Sequence, residues 1–435
     1  MWNEEQRAVI ESEASVKQVI AAAGSGKTAT MIGLLSEQER KGDIRPDRTL
    51  IVTFTNKATE EFENRILRNH LSDQYRISTF HAFCYQLIKS YHPLYKNSSI
   101  AILQKKQLED FTYNFLYKDR FKIGGTPFPI LFRQNAFHFK SEHPEIFKEY
   151  LDALNAWKAK ENLLEFEDLP TILLRGLENK ENWTLNLPSL FDSVIVDEFQ
   201  DTDTTQLKIL QQMQPPNITI VGDDWQAIYG FRGATPEPFL NFPAYFKKTE
   251  QFFLTTNYRS LKGIIDLSTH ALQKNKSKIS KIVKSHRNGL ASVTQMTLEN
   301  PKSDRYHIVQ KLQSKLSDEN ESIMLVRSNF RRKEWIQSGV PEHKITTIHG
   351  AKGLEFKAVI LDLSAGWSMP ESIDDSLLEE ERRILYVGIS RAKDELILLG
   401  RKLPKRKRGL EDEFFSYFRN FDSQGKPTLR YRLLW

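Results

Sequence analysis

Cysteine is almost missing from this chain: Cys84 is the only one in 435 residues. No intrachain disulfide and no multi-cysteine zinc site can form, and a reducing, cytosolic setting is expected. Long apolar runs are missing too. None approaches the roughly eighteen residues that a membrane span requires, and the opening stretch MWNEEQRAVIE carries charge from its start; a soluble, cytoplasmic protein with no membrane contact is therefore expected. Charge of one sign is not in large excess. Sixty-two basic residues face fifty-six acidic ones, a formal +6, and so mild an imbalance says little by itself about an anionic partner. No internal repeat and no low-complexity stretch stands out, and the length suffices for two or three compact cores.

What is present is a series of short β-branched runs, each followed by a helix-like segment: VKQVIAA, RTLIVTFT, DSVIVDE, NITIVGD, ESIMLVRS, FKAVILDLS and DELILLG. Near-continuous apolar strands alternating with helices mark an α/β fold with parallel sheets covered on both faces. From Tyr91 to about Asn162 the pattern changes to aromatic and charged residues at helical spacing, as in LEDFTYNFLYKDRF and EIFKEYLDALNAWKAKEN, which predicts an inserted helical subdomain. The parts before and after roughly Thr249 read as two similar α/β units. Basic residues are densest in SKISKIVKSHR, Ser277 to Arg287, and in RKLPKRKRG, Arg401 to Gly409. Each reads equally well as a solvated linker or tail and as a nucleic-acid contact, and the second also mimics an import signal.

Two segments carry recognisable chemistry. AAAGSGKT, Ala21 to Thr28, follows an apolar strand and opens a helical run. It fits the phosphate-loop pattern with alanine in first position: the backbone from Ala22, Ala23, Gly24, Ser25 and Gly26 would face phosphate oxygens, Lys27 would reach the β- and γ-phosphates, and the Thr28 hydroxyl would coordinate magnesium. SVIVDEFQDT, Ser193 to Thr202, sets Asp197 and Glu198 at the carboxyl end of a strand, the edge where open α/β sheets bind ligands. One acid there can hold magnesium and its neighbour can orient or deprotonate the attacking water. Together the two segments imply a nucleoside triphosphatase.

These residues and their order resemble the UvrD/Rep/PcrA group of superfamily 1 helicases over nearly the whole chain. NEEQRAVI, the phosphate loop, VTFTNKATEEF, STFHAFC, FEDL, VDEFQDT, VGDDWQAIYGFRGA, LTTNYRS, TIHGAKGLEF and EEERRILYVGISRA follow in the family's order. The resemblance implies two RecA-like parallel-sheet motor domains of the P-loop NTPase type, the first over 1–90 and 163–251 and the second over 252–435 with its basic C-terminal segment, and an inserted helical subdomain over 91–162. It implies an ATP hydrolase with magnesium as cofactor, single-stranded or tailed DNA as partner, and movement from 3′ to 5′. Gln6 would hydrogen-bond the adenine, Tyr258 would stack on it, and Glu355 would bind near the ribose and phosphates. Gln226 would sense the γ-phosphate, and Arg259 and Arg391 would reach in as arginine fingers. Phe54, Asn56, His81, Tyr229, Phe231, Arg232 and His349 would form the single-strand track; for Phe54 and Tyr229 core packing is the competing reading.

Departures from the family pattern are also legible. Only EWIQSGVPEHK, Glu334 to Lys344, separates two segments between which typical members carry a large accessory insertion. Ala22 stands where a glycine is common, which is tolerable if its φ is negative, and Ala29 replaces a basic residue. No cluster of acids with a lysine suggests a fused nuclease. Two alternatives stay open on the sequence: a nucleoside or small-molecule kinase, against which NYRS, GISRA and the aromatic track speak, and a DNA-sensing ATPase switch that licenses a partner nuclease in a repair or defence complex.

Overall fold

The computed structural model describes residues 2–96, 100–116, 122–123, 126–127, 143–300, 304–317, 321–367, 374–401 and 429–434. They group into two compact units, one comprising Met1–Ile77, Phe191–Thr204 and Pro216–Trp435, the other Ser78–Leu190 and Thr205–Pro215. The second unit is mainly helical. Its helices Lys105–Leu116 and Pro144–Glu161 bury Phe115, Tyr150 and Leu154 against Phe111 and Trp157, with the last two rings stacked at 4.7 Å. In the same unit the buried Lys158 ammonium pairs with Glu165 and Asp168, each at 2.7 Å.

The first unit holds two six-stranded sheets. One runs in the order Glu250–Leu254, Val16–Ala21, Asn217–Gly222, Ser193–Val196, Thr49–Thr53, Arg76–Thr79. Its runs TLIVT and SVIV are buried at every position, so no alternation of polar residues survives, as expected of parallel strands covered on both faces. Pairing is parallel, with Val19 beside both Val221 and Phe252. The second sheet runs Ile345–Thr347, Ser322–Val326, Phe356–Asp362, Ala392–Arg401, Ala291–Leu298, Leu429–Leu434, again with parallel neighbours. Parallel direction puts all carboxyl ends of a sheet on one edge. The chain leaves Val16–Ala21 into the phosphate loop, Ser193–Val196 into Asp197 and Glu198, and Asn217–Gly222 into Asp223 and Asp224.

Where the sequence resembles the site of an accessory insertion, the connection is short. Helix Asn329–Gln337 is followed by a single 3-10 turn, Glu342–Lys344, and then the edge strand. This corner is fastened by the buried Asp362 carboxylate, which accepts from Arg331 Nη2 at 2.8 Å and Trp335 Nε1 at 2.7 Å.

The basic run Ser277–Arg287 is not a solvated linker. Lys284–Arg287 pairs in parallel with Thr256–Leu261. Ile279 joins the segment after the first sheet's Gly222, its N–H donating to Asp224 Oδ2 at 2.8 Å and its carbonyl accepting from Trp225 Nε1 at 3.1 Å. The Lys281 side chain is fully buried and pairs with Asp223 at 2.6 Å and Asp224 at 2.9 Å, donates to the Ala21 carbonyl at 3.0 Å, and lies 4.6 Å from the Trp225 ring centroid. Of the other run, all but Arg401 lies outside the described residues. Removing one partner of a buried ion pair strands the other, at a cost of about 3–5 kcal/mol. Lys281→Met is therefore expected to lower the urea midpoint steeply, whereas Lys284→Met, on the exposed side of the same run, should shift stability by no more than about 0.5 kcal/mol; equal midpoints for the two would contradict the pairing.

Candidate functional site

A cleft of about 960 Å³ opens at the carboxyl edge of the first sheet, lined among others by Gln6, the loop from Gly24 to Thr28, Glu198, Tyr258 and Arg391. The loop's shape follows from its glycines. Gly24 and Gly26 have φ of 69° and 82°, and Ala22 is not among the positive-φ residues, so alanine is accommodated there. A Cβ on Gly24 would stand 2.7 Å from Arg259 Cβ. Gly26 caps helix Lys27–Lys41 without a side-chain hydrogen bond, so the first amides of that helix remain open to an anion, and the helix dipole favours negative charge there. Ser25 Oγ is buried with no hydrogen-bond partner among the described residues, which suits an additional ligand contact. Gln6 completes a capping box with Asn3 and its Nε2 donates to the Ser25 carbonyl at 3.5 Å, which fastens the helix before the loop to the loop itself.

Lys27 Nζ meets Glu198 Oε1 at 2.7 Å. Burial opposes ionisation of Glu198, but Lys27 and Lys352 outweigh it and hold the carboxyl well below its usual range. Asp197 moves the other way, pushed up by burial and by the charge of Glu198. A divalent cation beside Asp197 would reverse that shift. Among the described residues no cluster of three or more His, Cys, Asp or Glu side chains could hold a metal. A magnesium ion here would take Thr28 and Asp197 as protein ligands and fill its shell with phosphate and water oxygens, as this cation commonly does. The residues present fit that arrangement. Gln200 orders the acids: its Nε2 donates to Glu198 Oε2 at 2.6 Å and its Oε1 accepts from the Asp223 N–H at 2.9 Å.

The second half of the chain supplies cations to the same cleft. Arg391, 1% exposed, donates from Nη2 to Gln226 Oε1 at 3.0 Å and from Nη1 to the Leu354 carbonyl at 3.2 Å; burial and the nearby Arg259 lower its pKa to about 9. Gln226 in turn donates to Asp223 Oδ2 at 2.6 Å. Arg259 pairs with Glu355 at 2.7 Å. Lys352 pairs with Asp201 and donates to the Gln226 carbonyl at 2.9 Å. Tyr258 lines the cleft with its ring 4.7 Å from that of His286.

The aromatic residues assemble directly beyond Gln226. Phe54 and Tyr229 stack at 4.7 Å with 27° between planes; both are half-buried, and Tyr229 packs against the core formed mostly by the second sheet. Arg232 lies 5.1 Å from the Tyr229 ring and 5.5 Å from the Phe231 ring. Phe231 is 68% exposed. His349 packs edge-on to Phe231 at 5.4 Å and shares a hydrogen bond of 3.1 Å with the Ile228 carbonyl; burial and the neighbouring Arg327 push its pKa down to about 4, so the ring is neutral at pH 7. Asn56 is exposed at the start of helix Asn56–Arg68. His81 belongs to the helical unit, where it packs edge-on to Phe166 at 6.1 Å.

Several participants were not singled out by the sequence reading. Lys352 sits inside the quoted TIHGAKGLEF, between His349 and Glu355, and its place in that motif was the available signal. Lys281 was hidden in a basic run. Asn257, beside Tyr258, is buried and ties the phosphate loop to the second sheet's side: its Nδ2 donates to the Ala23 carbonyl at 2.7 Å while its Oδ1 accepts from the N–H groups of Arg259 and Ser260, each at 2.8 Å. Asn257→Ala strands those groups and is expected to cost at least about 2 kcal/mol, read from the urea midpoint. Asn257→Asp keeps the acceptor and loses the donor, so its loss should be intermediate; an unchanged midpoint in both would show that these bonds do not hold the loop.

The sequence was compared with known families and proteins. The UvrD/REP helicase N-terminal domain matches residues 2–247 and the UvrD-like helicase C-terminal domain matches residues 331–401. A probable DNA helicase of Mycoplasma pneumoniae is 26% identical over 91% of this chain and 83% of its own length. The ATP-dependent DNA helicase Rep of Buchnera aphidicola subsp. Baizongia pistaciae is 29% identical over 77% of this chain and 52% of its own, and the ATP-dependent DNA helicase PcrA of Leuconostoc citreum is 24% identical over 86% and 53%. The chain thus spans most of the first relative and about half the length of the other two. The first family model alone covers more than half of the chain, in the region that builds the phosphate loop, the paired acids and the Gln226 segment, and on that ground this protein belongs to the UvrD/REP helicase family.

Proposed function

We propose that this protein is an ATP-dependent DNA helicase or single-strand translocase moving 3′ to 5′, with the two sheet-bearing halves, 1–90 with 163–251 and 252–435, as its motor domains and 91–162 as the inserted helical subdomain. The observation that carries this reading is the course of one short segment: Gln226, in the cleft, accepts from Arg391, and six residues later Arg232 lies over the Tyr229 and Phe231 rings. Membership of the family and the names of the relatives support the same reading, and DNA as partner with a cytoplasmic location follows from it.

In the nucleotide step Lys27 leaves Glu198 for the β- and γ-phosphates, freeing the Glu198 carboxylate to accept a proton from the attacking water. Bound magnesium would supply neutralisation of phosphate charge from Thr28 and Asp197. Arg259 and Arg391 stabilise charge on the transferring phosphoryl group, a contribution of about 10³ to 10⁵ in rate where such arginines have been tested. Gln6 and Tyr258 hold the base. On the nucleic-acid side Phe54, Asn56, Tyr229, Phe231, Arg232 and His349 form a sequence-tolerant track, each stacked base contributing roughly 1–3 kcal/mol, and His81 of the helical unit is a further single-strand contact. Closure of the halves around ATP and their release after hydrolysis would bias both ends of the Gln226–Arg232 segment, which is the two-state element that coupling requires.

The short Glu334–Lys344 connection favours a second reading, a DNA-gated ATPase switch that licenses a partner nuclease, because a motor without a large accessory region has less surface with which to grip a duplex. Strand displacement separates the two. ATP turnover strongly stimulated by single-stranded DNA, with displacement of a 3′-tailed but not a 5′-tailed duplex, is expected of the helicase; stimulated turnover without translocation would favour the switch, and turnover indifferent to DNA would remove both.

The assigned roles of the two central residues differ in a measurable way. Lys27→Ala and Glu198→Gln should both abolish turnover, but the glutamine variant should still bind ATP, because Lys27 contributes charge to the phosphates and Glu198 acts on the water. Equilibrium ATP binding checks this, and an equal loss of affinity in both variants would contradict it.

A further inference from the structure

Between Gln226 and Arg232 the chain is gripped at successive backbone positions by side chains from the second sheet's half. Lys352 takes the Gln226 carbonyl at 2.9 Å, His349 meets the Ile228 carbonyl at 3.1 Å, and Glu380 Oε1 accepts from the Gly230 N–H at 2.9 Å. The first two belong to the motif that also carries Glu355. Glu380 comes from helix Asp375–Ile389, the helix that ends just before Arg391. Its position nine residues before Ile389 sets it about 14 Å along the axis from that end. The helix thus touches the segment at Gly230 through Glu380, and Arg391, two residues past its end and bonded back to it at Val387, touches the segment at Gln226.

The Gly230 contact has the form of a cap supplied from outside. Gly230 opens the 3-10 turn Gly230–Arg232, and Tyr229, in the capping position, offers no side-chain hydrogen bond. The first amide of such a turn lacks an internal acceptor, and the Glu380 carboxylate provides one. The approach is possible because residue 230 is glycine: a Cβ there would lie 2.3 Å from Glu380 Oε2. The charged groups facing Glu380 are Glu381, Arg383 and Arg327, and Arg327 is engaged by Glu381 at 2.9 Å. The turn so capped carries the exposed Phe231 and Arg232.

We propose that Glu380 is a positioning residue whose carboxylate, by capping the Gly230–Arg232 turn, makes the Arg391 helix hold Phe231 and Arg232 in register for stacking on a nucleic-acid base. The inference rests on the reading under Proposed function. It gives the nucleotide end a second path to the strand that does not pass through the Gln226 side chain.

The test uses the full chain, with ATP turnover measured across a titration of oligo(dT) and stacking followed by 2-aminopurine fluorescence in a bound single strand. Glu380→Ala should raise the DNA concentration for half-maximal stimulation about fivefold and weaken the stacking signal, while ATP affinity without DNA and the urea midpoint stay near those of the wild type. Glu380→Gln, whose amide oxygen still accepts from Gly230, should restore most of both. An unchanged DNA dependence in Glu380→Ala would overturn the proposal. So would a parallel loss of ATP affinity and stability, which marks a merely structural residue, or a glutamine variant as defective as alanine. A wild type that DNA does not stimulate would instead sink the helicase reading, and this inference with it, so the two failures are distinguishable.

Discussion

A buried guanidinium is tolerable only when its donors find acceptors, and Arg391 meets that condition by reaching across to Gln226 as well as back to the preceding helix at Val387. Much of the first unit's arrangement depends on this contact. Gln226 can offer its oxygen to Arg391 because its nitrogen is committed to Asp223, and Asp223 can be buried because Lys281 neutralises it. Lys281 is held in turn by the strand-forming stretch that follows it. The chain of dependence runs from one sheet to the other through side chains that are polar, buried and satisfied, an arrangement that fixes geometry more sharply than apolar packing would.

The same joint explains why the cleft and the aromatic cluster lie so close together. Ala23, Trp225 and Ile228 pack into a core made mostly by the second sheet and its helices, so the segment leaving the first sheet at Gly222 is committed to the second before it turns outward at Gly230. Phe231, on that outward turn, is left exposed. An apolar ring left outside a packed turn, with a guanidinium over it, has the form of a stacking platform. The Glu380 cap fits this scheme as the last of the contacts that hold the turn's attitude.

Legibility in the sequence varied with the physics of each feature. Strands such as Leu50–Val52 and Val194–Val196 were evident because full burial on both faces leaves an unbroken apolar run. The strand Ala291–Leu298, ASVTQMTL, escaped notice because it mixes polar and apolar residues, although Gln295 and Thr294 are buried in it. The phosphate loop and the DE pair were readable because their chemistry is local: a strand, a tight turn with glycines at positive φ, and a helix start. The basic run at Ser277 was ambiguous because its partners, Asp223 and Asp224, lie more than fifty positions away, and charge density along a chain carries no information about what faces it.

The sequence by itself determined the α/β class, the phosphate loop with Lys27 and Thr28 and the acids Asp197 and Glu198, since each depends on residue type and short-range spacing; the candidate residues of the track came with the family resemblance. Only the tertiary structure decided which charges are paired and buried. It turned Lys281 from a candidate surface contact into a core cation, set Lys352 on Gln226, joined Asn257 to the phosphate loop, and brought Glu380 to Gly230. Those pairings bring together residues 57 to 234 positions apart, and nothing in local propensity distinguishes them from solvent-exposed polar groups. Burial makes the difference, because a charge removed from water must find its partner wherever the fold has placed one.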